Sequence, residues 1–257
     1  MKLYFLGTCA GTEPMPGRKH ASVAVEENGQ VYWFDAGEGC SYTAHNIGVD
    51  LLAVKRIVLS HCHMDHVGGL GNLLWNIRKM TEMQYGMPKY GDIEVYIPVK
   101  ETFEGLMMLL KNTESGFKCD FGVNCNEVHE GVLFEDENLS VTAFHNSHLR
   151  YEETDKPRSY SYRIDAGGKS LVYSGDIGKF ADLDAVVGSG ADAIIIETGH
   201  FKVDSVCDWV EGKNIGKIFF SHNGREILNH PLESEEKVKN RLGDRGVICY
   251  DTMTVEV

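Results

Sequence analysis

At 257 residues, with 42% hydrophobic and 25% charged residues, the chain is long enough to bury a large core and has the composition of an ordinary globular protein. Its 38 carboxylates against 25 Lys plus Arg give a net charge of −13 with no basic run, which argues against a nucleic-acid-binding surface. No apolar run approaches the ~20 residues of a membrane span, the apolar N-terminal stretch is too short for a signal peptide, and the seven cysteines contain no Cys-x-x-Cys pair, so a cytoplasmic protein with reduced thiols is expected.

In chain order, residues 2–6, 22–25 and 31–34 read as strands, the last two joined by Asn28-Gly29, a tight-hairpin signal. The apolar run 56–60 reads as a buried strand, 69–80 as a helix and 93–97 as a strand. Phe103, Leu106, Met107 and Leu110 recur at helical spacing and make 100–111 a core-packed helix. Segment 81–91 holds Met83, Tyr85, Met87, Pro88 and Tyr90 without a clean period; it reads as a packed loop, a lid or a contact with a second copy of the chain. Strands are then expected at 139–144, 160–164 and 170–173, the last two turning at Gly167-Gly168. A helix at 180–187, a strand at 193–196, a helix at 205–211, a strand at 217–221, a helix at 233–242 and a final strand at 246–250 complete the pattern. A strand-rich opening followed by alternating strands and helices occurs twice without a linker. One domain over 1–257 is expected, with two similar halves, two sheets face to face and helices outside.

Chemistry concentrates in His61-Cys62-His63-Met64-Asp65-His66, between a predicted strand and Gly68-Gly69. Burying three imidazoles and a carboxylate in a core would leave several polar groups needing partners, and a solvated turn needs no such run. On a loop they converge on cations, and imidazole with carboxylate suits zinc, manganese or iron. One loop cannot surround two metals. His148, Asp176 and His222 each stand just past a short apolar run, where a strand presents them at a sheet edge; His145 competes with His148, and spacing does not choose between them. Cys62 is expected to point into packing, and His20, His45, His129 and His230 are isolated histidines of the surface or core.

The pattern resembles the metallo-β-lactamase superfamily, and within it the tRNase Z and phosphodiesterase branch. The resemblance rests on the opening Phe5-Leu6-Gly7-Thr8-Cys9-Ala10-Gly11, on Phe34-Asp35-Ala36-Gly37-Glu38-Gly39, on the His-x-His-x-Asp-His block, on Ser161-Tyr162-Arg163-Ile164 and on Tyr173-Ser174-Gly175-Asp176. It implies an α/β fold, a four-layered αββα sandwich, holding two divalent ions, zinc foremost with manganese or iron as alternatives. His61, His63 and His148 would hold one ion, Asp65, His66 and His222 the other, with Asp176 bridging. His148 is preferred to His145 because the family's ligand falls four residues after the strand's last Phe, here Phe144. Asp35 would orient the ligand loop, and Asp65, His222 and Glu197 would serve catalysis. Two such ions share a hydroxide for hydrolysis.

Three departures from the tRNase Z pattern bear on substrate. The family's His-Glu-Ala-Thr becomes Ile196-Glu197-Thr198-Gly199, which loses the leading His although His200 is close by. Residues 203–207 offer no counterpart of its His-Ser-Thr segment, and the basic tRNA-gripping arm is missing. A small phosphodiester is therefore expected as substrate, with nucleic acid not expected as a partner. The alternatives are tRNA 3′ processing, hydrolysis of an ester, thioester, lactone or sulfate, and a non-catalytic metal-binding role. Arg163 and the backbone N–H at Asn223-Gly224 are candidate substrate contacts, with Arg225, Lys19 and Arg18 behind them; a homodimer is implied by the resemblance.

Overall fold

The computed structural model describes residues 1–149 and 156–257. Its first half supplies strands β1 (Lys2–Gly7), β2 (Ser22–Glu27), β3 (Gln30–Phe34), β4 (Val54–Val58), β5 (Ile93–Ile97) and β6 (Val123–Glu127), with helices α1 (Cys40–Asn46), α2 (Met64–Val67), α3 (Leu70–Glu82) and α4 (Lys100–Lys111). The second supplies β7 (Gly131–Glu135), β8 (Leu139–His145), β9 (Tyr160–Ala166), β10 (Lys169–Tyr173), β11 (Ala191–Glu197), β12 (Ile215–Ser221) and β13 (Gly246–Ile248). Helices α5 (Asp184–Val187), α6 (Val203–Val210), α7 (Arg225–Asn229) and α8 (Pro231–Leu242) accompany them, and β14 (Thr254–Glu256) returns to pair with β1. Two seven-stranded sheets result, ordered β14-β1-β2-β3-β4-β5-β6 and β13-β12-β11-β10-β9-β8-β7.

Side chains alternate across each strand, so each sheet has two apolar faces to cover. On β3, Tyr32 and Phe34 enter the core between the sheets while Val31 and Trp33 enter the core beneath α1, α3 and α4. Phe5 meets Phe219 of the facing sheet with ring centroids 5.7 Å apart, and Phe34 meets Tyr162 at 6.1 Å. The outer face of the second sheet, with Ile194, Ile218 and Phe220, is covered by Val206, Val210 and Val238 of α6 and α8. Helix, sheet, sheet and helix form the four layers expected.

β3 to β6 run parallel, as do β10 to β13. β8 shares the direction of β10, since both pair antiparallel with β9. The loops after β3, β4, β8, β10, β11 and β12 therefore open at the C-terminal edges of the sheets, where ligand-binding loops of parallel sheets gather.

Several elements differ from the sequence reading. β6 (Val-Asn-Cys-Asn-Glu) is too polar to read as a strand because it is the sheet's outermost; α1 and β14 are short and were not anticipated. The strand expected over 246–250 stops at Ile248, because Asp251 leaves the sheet to accept from Thr8 N (2.9 Å), Thr8 Oγ (2.7 Å) and Lys19 N (2.6 Å). Segment 81–91 follows α3 to the far end of the molecule, about 20 Å from the helix start at 1.5 Å per residue, where Lys89 N donates to Leu52 O just before β4. A lid over the ligand loop is excluded by that placement. Among the described residues no helix is long and apolar enough to cross a membrane.

Candidate metal centre

The ligand loop begins where β4 ends, and Leu59 N still donates to Tyr96 O of the neighbouring strand. His63 is the extended residue before α2, so Met64, Asp65 and His66 lie on its single turn and half-buried Cys62 packs on the core behind. Asp35, just past β3, is completely buried and holds a left-handed backbone (φ 55°). Its carboxylate accepts from Ser60 N (2.6 Å), Ser60 Oγ (2.7 Å), Tyr173 Oη (2.7 Å) and His66 Nδ1 (2.8 Å). The last bond turns His66 Nε2 outward, the arrangement by which a carboxylate fixes the tautomer of a ligating imidazole.

Asp176, after β10, divides its two oxygens between two groups of histidines. Oδ1 lies 3.3 Å from His66 Nε2 and 3.2 Å from His222 Nδ1; Oδ2 lies 3.9 Å from His61 Nε2 and 3.8 Å from His148 Nε2. Asp65 Oδ2 is 3.0 Å from His222 Nε2 and 3.3 Å from His66 Nε2, and His148 Nε2 is 3.4 Å from His63 Nδ1. His61, His63, His148 and Asp176 thus form one set, and Asp65, His66, Asp176 and His222 a second, each with one ligand atom per residue within 4.8 Å of the others. His61 Nε2, Asp176 Oδ1 and His222 Nδ1 are buried without a hydrogen-bond partner. Buried polar atoms normally have partners, and a divalent cation is the partner that imidazole nitrogen and carboxylate oxygen share. The residues fit metal ions.

The electrostatics agree. Burial, with the neighbouring His66, pushes His61 well below the usual histidine range. At His222 burial opposes charge most, but Asp176, Asp65 and Glu197 together outweigh it and raise the imidazole to about 10. Burial likewise opposes ionisation of Asp176, yet His222 and His66 hold its carboxyl well below the usual range. His222, and His66, where burial is likewise outweighed by Asp176 and Asp35, are drawn towards the charged state by carboxylates, the negative charge that a bound cation would meet in place of those protons.

A third element was only half visible in sequence. Glu197, at the end of β11, accepts from Ile177 N (2.7 Å), His200 N (3.0 Å) and His200 Nδ1 (2.8 Å). His200 stands 4.9 Å from the His148 ring and is 45% exposed at the mouth of the site. The Glu-x-x-His spacing, which lets a turn fold the imidazole back onto the carboxylate, was the available signal. His145 lies instead against Tyr160, ring centroids 6.3 Å apart, outside both histidine sets.

The expected substrate contacts are corrected. Arg163, on β9, donates to the carbonyls of Val186 (3.2 Å), Val187 (3.2 Å) and Gly190 (3.1 Å), at the edge where β11 begins and opposite the histidines. It clamps the end of α5 and does not face the site. Arg163→Ala should lower stability by about 2 kcal/mol, the range for hydrogen bonds from a charged group, and leave metal content unchanged. Thermal unfolding beside elemental analysis checks both, and lost metal would return Arg163 to the site. Asn223 is fully buried; its N donates to Thr8 O (2.6 Å) and its Nδ2 to Cys249 O (3.0 Å), so it ties β1 to the β12 loop. Arg225 pairs with Glu13, and Arg18 donates to Thr8 Oγ (3.0 Å) while stacking on Tyr250.

Two facing mixed sheets with a histidine–aspartate cluster at their shared edge define the class: the chain belongs to the β-lactamase superfamily, whose domain model matches residues 33–222. Curated relatives named ribonuclease Z include one from Listeria innocua, 32% identical over 169 residues (64% of this chain, 49% of the relative). Another, from Methanothermobacter thermautotrophicus, is 29% identical over 166 residues (62% and 50%). The chain spans about half the length of these relatives. Among solved structures, the short form of human tRNase Z superposes with a TM-score of 0.73 at 20% identity, covering 100% of this chain and 99% of that one. These relatives overturn the expectation that nucleic acid is not a partner. Net charge averages the whole surface, whereas a nucleic acid meets only a local patch, so −13 does not carry that exclusion.

Proposed function

We propose that this protein is a dinuclear metal-dependent phosphodiesterase. The observation that carries the reading is Asp176, buried, with one oxygen turned to His66 and His222 and the other to His61 and His148. In this reading His61, His63 and His148 hold one ion, Asp65, His66 and His222 the other, and Asp176 both, with zinc foremost and manganese or iron as alternatives. Such ions, when bound, would supply an acidified water and polarisation of a phosphoryl oxygen.

The remaining work belongs to the chain. Asp35, with its four donors, keeps His66 Nε2 turned into the site. Asp65, 12% exposed against 3% for Asp176, is the more open carboxylate of its set; with Oδ2 turned to His66 and His222, its other oxygen, Oδ1, would hold a proton of the attacking water. Glu197 accepts from His200 Nδ1, and that bond holds the imidazole above the usual histidine range, so in the protonated ring Nε2 is the donor left for a substrate oxygen. Gly199 makes room for His222, because a Cβ there would lie 2.6 Å from His222 Nδ1 and 3.1 Å from Ala10 Cβ. Gly199→Ala should therefore cut the metal content from two ions per chain towards one, read by elemental analysis; two ions retained would separate His222 from the second ion.

Support for phosphorus rather than a carbonyl comes from the ribonuclease Z relatives. The same names favour a second reading, an RNA 3′-processing endonuclease. Assays on bis(p-nitrophenyl) phosphate and on a precursor tRNA, beside lactone, thioester and sulfate panels, test both. Turnover of the diester with no cut in tRNA selects the general phosphodiesterase, and a defined 3′ cut selects the RNA enzyme. Activity confined to the carbonyl or sulfate panels, or no activity with any of the three metals, defeats the proposal.

A further inference from the structure

The loops after β10 and β11, which carry Asp176 and His200, also carry a row of rings. Phe180 lies 4.4 Å from Phe201 at 38° and 5.6 Å from Trp209 at 14°, and Lys213 Nζ stands 4.7 Å from the Trp209 ring. Phe201 directly follows His200, so their Cα atoms are about 3.8 Å apart; Phe180 follows Asp176 by four residues. The first of these loops is fixed in place by Asp182, which accepts from Ser147 Oγ (2.7 Å) and Ser147 N (3.0 Å) beside His148. The rings rest on the core under α6 but remain half-buried, which leaves ring surface for a ligand.

Charge reinforces the pattern. Lys179 and Lys202, each next in sequence to a phenylalanine of the row, are exposed. The carboxylates of α6 are already engaged, Asp204 with Lys237 and Asp208 with Arg241. On a chain of net charge −13 this puts two exposed lysines and a ring stack on the two loops that bear Asp176 and His200. Cations interleaved with aromatic rings are what a nucleotide requires: the rings meet the base and the lysines its phosphates.

We propose that Phe201 and Phe180, flanked by Lys179 and Lys202, form a nucleobase subsite for the nucleotide whose phosphate lies at the histidine cluster. The subsite deepens the phosphodiesterase reading and rests on it for the position of that phosphate. The ligand chemistry is a purine or pyrimidine nucleotide, either free or at the end of an RNA strand.

The test is equilibrium binding to the zinc-loaded protein, followed by calorimetry and by Trp209 fluorescence, with AMP against ribose 5-phosphate. The two share the phosphate and differ in the base. AMP should bind about tenfold tighter, within the range for base–aromatic stacking. Phe201→Leu should bring that ratio below about threefold, with ribose 5-phosphate unchanged, and Phe180→Leu should do the same to a smaller extent. The two variants guard against one that fails to fold, which circular dichroism reveals. Equal binding of the two ligands to the parent protein, no binding of either, or an unchanged ratio in both folded variants overturns the subsite. A short RNA that binds tighter than AMP and loses the gain in Phe201→Leu identifies a strand end as the source; RNA no tighter than AMP identifies the free nucleotide. Because binding is read without turnover, inactivity on every phosphodiester would defeat the phosphodiesterase reading while the AMP ratio still decides the subsite.

Discussion

Replacing Asp176 by Ala should leave the purified protein with well under two metal ions per chain and lower phosphodiester turnover by more than about 100-fold, beyond the loss typical of outer-shell changes. The expectation follows from the division of its oxygens, Oδ1 at 3.2–3.3 Å from His222 and His66 and Oδ2 at 3.8–3.9 Å from His148 and His61. Without the carboxylate, both sets lose their shared negative charge and face one another as crowded imidazoles; His66 Nε2 and His222 Nε2 are only 3.2 Å apart. Asp176→Asn keeps the shape while removing the charge, so it should lose metal as well. Elemental analysis after dialysis against a weak chelator gives the direct reading. Two ions retained by Asp176→Ala would show that Asp176 bridges nothing, and loss of one alone would assign it to a single set.

The second large effect is on stability. Asp35→Ala removes the acceptor of four donors in a fully buried place, stranding Ser60 N, Ser60 Oγ, Tyr173 Oη and His66 Nδ1. Removing one side of a buried, charged hydrogen-bonded network costs about 3–5 kcal/mol. For a chain of this size that is a fall in Tm of about 10 °C. The measurement should be made with chelator present, so that the network is read apart from any ion. With zinc added, the variant should also bind the ion of the His66 set at least about tenfold more weakly, because the imidazole loses the partner that orients it. A Tm within about 2 °C of the parent would mean that Asp35 is dispensable and that water reaches its donors.

Much of the fold was legible because its strands are apolar on both faces. Runs such as Val31-Tyr32-Trp33-Phe34 and Ile194-Ile195-Ile196 announce strands covered by a helix layer outside and a sheet inside. β6 and β14 escaped notice because an edge strand needs neither face wholly apolar. The strand expected beyond Ile248 failed for a different reason. Its residues suit a strand, but the carboxylate of Asp251 pulls the chain towards Thr8, a contact 243 residues distant in sequence.

The same division runs through the site. The run from His61 to His66 announced metal by itself, since that density of imidazole and carboxylate has no other economical explanation in a loop. Composition and order also placed His148, Asp176 and His222 as candidates, because each follows an apolar run that must end at a sheet edge. Residue types alone did not group them; the resemblance supplied a grouping and a preference for His148, and the tertiary structure is what sets the side chains against one another. Whether Asp176 meets two sets of histidines, whether His148 or His145 turns inward, and whether His200 folds back onto Glu197 depend on which strands are neighbours. It also removed Arg163 and Asn223, whose residue types suit a substrate but whose donors are taken by carbonyls of α5, of the turn before β11, of Thr8 just past β1 and of the segment after β13. A residue's chemistry is local and can be read from its letter. Which chemistry remains available to a substrate depends on partners brought from far along the chain.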